Sequence, residues 1–159
     1  VCQVDSELLA AVDVLVVNEI EGAAVAGIPY SGDNLDEIIE RLQLTGIRNI
    51  VVTAGSAGAY LLTPFTRIHV PSFKVNAVDT IAAGDTFCGA LAVVFEGDYI
   101  TEENMRYANA ASAIAVTRPG ATTSIPDAGE VAQFIASQTT VTSISNEKIE
   151  QNVKKTVAS

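Results

Sequence analysis

Two short runs of consecutive apolar residues set the tightest limit on this fold: Val14-Leu-Val-Val17, within 13–17, and Ile50-Val-Val52, within 49–53. Successive side chains of a strand point to opposite faces. Strands of this kind need cover on both sides and read as buried strands of a largely parallel sheet. Residues 19–26 form a helix stopped by Gly27, and 33–44 form an amphipathic one ended by Gly46. Leu35, Ile38, Ile39 and Leu42 share one face of the second. Further strands are expected at 59–62 and 67–70, with Gly55 and Gly58 flanking the turn before the first. Helices are expected at 5–11, 85–96 (closed by Gly97-Asp98), 102–116 and 127–137. Arg118-Pro119-Gly120 opens a loop that runs to Pro126. Strands alternating with helices predict an α/β fold whose sheet is parallel at its centre.

At 159 residues, 48% of them hydrophobic, the chain is long enough for one domain with a real core. From 138 onward the composition shifts to Gln, Thr, Ser, Asn and Lys, so 138–159 read as a polar tail with one short helix near 147–155. A formal net charge of −10 argues against a nucleic-acid partner, which needs a basic face. A chain this acidic needs helix ends and cations to bind a polyphosphate. Cys2 and Cys88 give neither a disulfide framework nor a zinc spacing, which points to a reducing cytoplasm. No apolar run is long enough to span a bilayer, and no signal peptide is expected. The sequence opens on Val1 and holds a single methionine, Met105, so it reads as a processed product or a fragment.

The chemistry concentrates in Asp79-Thr-Ile-Ala-Ala-Gly-Asp-Thr-Phe87. Small residues lead into an acid at the start of a helix, where backbone N–H groups lack partners and the macrodipole is positive. Ala82, Ala83 and Gly84 let an anion approach those N–H groups, and Asp85 beside them can take a proton from a hydroxyl. The combination suggests phosphoryl transfer to an alcohol. Taken alone, Gly-Asp is also a helix cap after a glycine turn. Ligands of such sheets sit beyond the carboxyl ends of the strands, where Asn18 and Thr53 lie. Asn18 and Glu21 stand one helical turn apart, which on spacing is a capping pattern. His69, the only histidine, falls in a strand and reads as structural. Lys74 and Arg67 read as surface residues, and Tyr60, Phe65 and Phe73 as packing.

The segment 79–87 resembles the C-terminal signature of the ribokinase-like carbohydrate kinases, and its Ala-Ala-Gly-Asp form favours the ribokinase branch of that family. Three further stretches, in family order, resemble the same group. They are Asn18-Glu-Ile-Glu21, Val51-Val-Thr-Ala-Gly-Ser-Ala-Gly58, and Ala113-Ile-Ala-Val-Thr-Arg118 with Gly120-Ala121 and Ser124-Ile-Pro126. The resemblance covers about 5–137 and implies a three-layer α/β/α fold with a mostly parallel central sheet. Residues 1–137 would be its C-terminal nucleotide-binding and catalytic part, lacking the N-terminal half and the lid. Asp85 matches the catalytic base that deprotonates the 5-hydroxyl of D-ribose, and Ala82, Ala83 and Gly84 match the anion hole at the γ-phosphate of ATP. Thr53, Ala54, Gly55, Ser56, Ala57 and Gly58 match the turn at the ATP phosphates, and Asn109 a position near the adenine. Asn18 and Glu21 match residues that organise Mg²⁺ and its waters. Asp79, Ile81, Ala115, Arg118, Gly120 and Ser124 match the loops of a K⁺ site. Cys88 stands where some members carry Asn and is expected to pack. The implied partners are ribose and ATP, with a homodimer in the complete protein. The alternatives are a fructokinase or nucleoside kinase of the same family, or a nucleotide-binding fragment without catalysis.

Overall fold

The computed structural model describes residues 6–138, so the tail and its expected short helix lie outside the described residues. The chain divides after Ile125 into two compact units. The first runs through α1 (Ser6–Ala10), β1 (Val14–Asn18), α2 (Glu19–Ala26), α3 (Leu35–Gln43), β2 (Asn49–Thr53), β3 (Ala59–Leu62), β4 (Arg67–Val70), α4 (Ala83–Val94) and α5 (Glu102–Ala115). The second begins with a helix over 128–138. Asp127 caps it through a reciprocal pair: its carboxylate accepts from Glu130 N at 2.9 Å, and its own N–H donates to Glu130 Oε2 at 3.0 Å. Among the described residues no helix is long and apolar enough to cross a membrane.

The strands lie in the order β1-β2-β3-β4. Only β1 and β2 run parallel, joined by the crossover that holds α2 and α3; β2–β3 and β3–β4 are antiparallel. The expectation of a mostly parallel sheet is corrected to a mixed one for the described strands. The reason is connection length: 54–58 and 63–66 are too short for a parallel crossover, which takes a dozen or more residues. A second correction concerns β1. Its sequence predicts burial on both faces, yet Val14, Leu15 and Val16 are only half-buried, whereas β2 is buried from Asn49 to Val52. β1 is the edge of the described sheet, so one flank lacks a strand neighbour.

Helices cover both faces, giving three layers. On one side Ile38, Ile39 and Leu42 of α3 and Ala23 of α2 pack against Val17, Ile50, Val52 and Leu62. On the other, Phe87 and Leu91 of α4 and Met105 and Ala108 of α5 pack against Val51, Ala59, Leu61 and Val70. Alternate residues of β2 and β3 thus feed opposite cores, as the pleat requires. Fully burying each such large side chain stabilises by about 1.5–3 kcal/mol. Asn49 is fully buried at the start of β2. Its Nδ2 donates to the carbonyls of Asp13 (3.1 Å) and Asp98 (3.0 Å), and its Oδ1 accepts from Ile100 N (2.8 Å).

Candidate active site

β1 and β2 end in register, Asn18 opposite Thr53, and the Thr53 hydroxyl donates to Val17 O at 3.4 Å. Beyond these ends α2 and α4 begin. Asn18 caps α2: its Oδ1 accepts from Glu21 N at 2.9 Å, and its N–H donates to Glu21 Oε2 at 2.9 Å. The spacing of the pair is therefore realised as a capping box. It leaves both side chains exposed on a cleft of about 500 Å³ shared with Thr53, Gly55, Gly84, Asp85 and Cys88.

Asp85 is the third residue of α4, two positions later in the helix than its sequence start suggests. No side chain caps this helix. Ala83 N donates to Thr80 O and Thr86 N to Ala82 O, which leaves Gly84 and Asp85 N–H without a protein acceptor among the described residues. Those are the groups that bind anions at helix starts. A methyl at Gly84 would meet nothing of the protein within 4 Å, so the missing side chain keeps this end open. The exposed Asp85 carboxylate stands beside that opening.

The turn at 54–58 is closed by Ala54 N donating to Gly58 O at 2.8 Å. Gly58 has φ 103°, and a Cβ there would lie 2.2 Å from Val70 O. The backbone of β4 thus demands glycine at 58 for packing. Ala57 O accepts from His69 Nε2 at 2.8 Å, and the His69 ring stacks on Tyr60, a structural role. Gly55 lines the Asp85 cleft and a second, mostly apolar cleft of about 410 Å³ whose walls include Ser56, Phe73, Val75, Ala83, Ser112 and Val116. A cavity of about 110 Å³, walled in part by Gly55, Gly84 and Asn109, shares residues with both. Asn109 is buried, and its Nδ2 donates to Val70 O and Pro71 O at 3.1 and 3.3 Å. Its donors therefore serve the wall of the cavity.

The residues matched to K⁺ are drawn together in part. Asp79 Oδ2 accepts from Gly120 N and Oδ1 from Ile81 N, each at 3.0 Å. The bond from Gly120, then that from Ile81, holds this carboxyl below the usual carboxylate range. Val116 O accepts from both Val78 N and Asp79 N, at 2.7 and 3.1 Å. Ala115 O accepts from Arg118 N at 3.1 Å, and the buried Ser124 hydroxyl donates to Ala121 O at 2.7 Å. A set of carbonyl, hydroxyl and carboxylate oxygens suits a hard cation. No group of three or more His, Cys, Asp or Glu gathers for a metal among the described residues. Asn18 and Glu21, exposed on one cleft, fit a magnesium ion that keeps its waters and takes phosphate oxygens.

The sequence profile of the pfkB family carbohydrate kinases matches residues 1–128. The chain belongs to that family. Ribokinase of Staphylococcus aureus (strain COL) is 34% identical to this pfkB-family chain over 130 residues, 80% of this chain and 43% of that protein. Deoxyribokinase of Salmonella typhi is 33% identical over 135 residues, 84% of this chain and 44% of that protein. The structure of Arabidopsis thaliana ribokinase complexed with ribose and ATP superimposes with a TM-score of 0.74 at 30% identity, covering 84% of this chain and 44% of that one. The fold is thus ribokinase-like, and the chain spans less than half the length of these relatives.

Three residues that line these clefts escape sequence reasoning. Phe73 reads as packing but walls the apolar cleft, with the Arg106 guanidinium 5.1 Å from its ring centre. Ser112 lies in an alanine-rich helix, and only the packing of α5 on α4 brings it to the clefts. Cys88 lines the Asp85 cleft; burial chiefly, then the charges of Asp85 and Glu21, push its thiol up. The periodicity of α4 carries a faint signal for Cys88, one turn beyond Asp85.

Proposed function

We propose that this chain is the nucleotide-binding and proton-accepting part of an ATP-dependent sugar kinase, with D-ribose as acceptor and D-ribose 5-phosphate as product. One observation carries the reading: an exposed carboxylate, Asp85, stands beside an uncapped helix start kept open by Gly84. The terminal phosphate of ATP would accept hydrogen bonds from Gly84 and Asp85 N–H, with Ala82 and Ala83 shaping the approach. The adenine would lie in the apolar cleft walled by Phe73 and Val75, with the 54–58 turn beside the phosphates. Asp85 would take the proton of the sugar hydroxyl as that oxygen attacks the γ-phosphorus and the bond to the bridging oxygen of ADP breaks. Glu21 and Asn18 would hold the hydrated Mg²⁺. Bound there, that ion neutralises charge on the β- and γ-oxygens. The oxygens of Asp79, Ile81, Ala115, Gly120 and Ser124 would receive K⁺, which orders the two loops beside α4, with Arg118 in the same turn.

Ribose is preferred because the Ala-Ala-Gly-Asp form matches that branch, and the S. aureus relative is a ribokinase. The deoxyribokinase relative supports deoxyribose as the competing acceptor, and a substrate panel on the full-length protein separates the two. The decisive test is Asp85→Asn in that protein. Turnover, followed by ADP release, falls about 10²- to 10⁴-fold, the usual worth of a positioned base, while ATP affinity stays within about threefold of the original. Weakened ATP binding at an unchanged rate contradicts the assignment.

A further inference from the structure

Ser112 is the one polar residue in the run 110–115 of α5. Ala110, Ala111, Ala113 and Ala115 around it are buried. A helical serine commonly turns its hydroxyl back to the carbonyl one turn earlier in its own helix. This one crosses to the neighbouring helix and donates to Ala83 O at 3.0 Å. Ala83 is the first residue of α4, and its carbonyl belongs to the same peptide unit as the N–H of Gly84. That unit is planar and stiff, so holding the carbonyl oxygen fixes the direction of the N–H. A hydrogen bond accepted at the oxygen also polarises the group and strengthens its N–H as a donor.

We propose that Ser112 is a positioning residue of the anion hole. It clamps the Ala83–Gly84 peptide plane and so aims the Gly84 N–H at a phosphate. The inference rests on the reading of the α4 start as the phosphate site. It adds a residue 29 positions away that touches no reacting atom.

The test is Ser112→Ala, with Ser112→Thr as the variant that restores the hydroxyl. Alanine is the best helix former and matches its neighbours, so the fold is retained. Ser112 is only half-buried and lines the clefts, so the extra methyl of threonine has room. Measurements on the full chain are the amide order parameter of Gly84, ATP affinity, and kcat and KM with the sugar. For Ser112→Ala, the Gly84 order parameter falls, ATP binding and kcat each fall about 3- to 10-fold, the worth of one hydrogen bond, and KM for the sugar holds. Ser112→Thr recovers these values. An unchanged Gly84 order parameter in Ser112→Ala overturns the clamp, as does a defect that threonine fails to rescue. Absence of ATP binding in the unsubstituted chain overturns the kinase reading; the Gly84 order parameter still decides the clamp in that case.

Discussion

Two hydroxyls on the paired helices α4 and α5 meet different fates. That of Ser112 has a partner in Ala83 O. That of Thr86, one residue past Asp85, is buried with no hydrogen-bond partner among the described residues. A hydroxyl desolvated without a partner costs about 1–3 kcal/mol. Valine has nearly the same shape and a similar helix propensity. Thr86→Val is expected to raise the unfolding free energy by about 1 kcal/mol, read from the urea midpoint at constant slope. A loss of similar size would mean that the hydroxyl holds a bond. Neither fate was legible in the sequence, because both depend on which helix face meets which. Asp85 was legible, since an acid after three small residues at a helix start carries its own local physics.

At the level of elements, the helix bounds that sequence located best are those with chemical stops. α2 begins at a reciprocal Asn18–Glu21 cap and ends at Gly27, as expected. α4 has no side-chain cap, and both of its ends fall two residues from the expected ones. Strand direction was misjudged because apolar runs report burial and carry no direction; connection length held that signal. The two glycines that both read as phosphate residues separate in the structure. Gly58→Ala would set a Cβ 2.2 Å from Val70 O at φ 103°, so a loss on the order of 3 kcal/mol or more is expected. Gly84→Ala meets no protein atom and removes a flexible residue from a helix, so stability holds or rises by up to about 1 kcal/mol. Its methyl would obstruct the phosphate, weakening ATP binding roughly tenfold or more, the worth of one hydrogen bond to a charged group at about 1.5–3 kcal/mol. Melting and ATP titration of both variants check the contrast, and equal effects on stability would refute it.

Across the whole molecule, the site and the main polar anchor occupy opposite ends of the same parallel strand pair. Asn18 and Thr53 close one end, and Val14 and Asn49 open the other. At that far end the fully buried Asn49 joins the residue before β1 to the connection between α4 and α5 through three hydrogen bonds, the one from Ile100 N buried and the two to Asp13 O and Asp98 O half-buried. Sequence placed Asn49 at the start of a buried strand but offered no hint of its partners, which lie 36, 49 and 51 positions away. Asn49→Ala would leave Asp13 O, Asp98 O and Ile100 N without that partner. A buried group so stranded costs about 1–3 kcal/mol, in full for Ile100 N and in part for the two half-buried carbonyls. Because the three share one site and can relax together, the expected loss is on the order of 3 kcal/mol rather than their sum. Asn49→Asp should do no better: it keeps the acceptor for Ile100 but loses both donors and brings a charge into the core. The strand pair separates this anchor from the clefts by roughly 13 Å, the length of the strand between Asn49 and Thr53. ATP affinity, measured well below the melting temperature, should then stay within about twofold of the original in both variants. Affinity falling in step with stability would show that the anchor and the anion hole are coupled through α4, and the two ends could no longer be treated as independent.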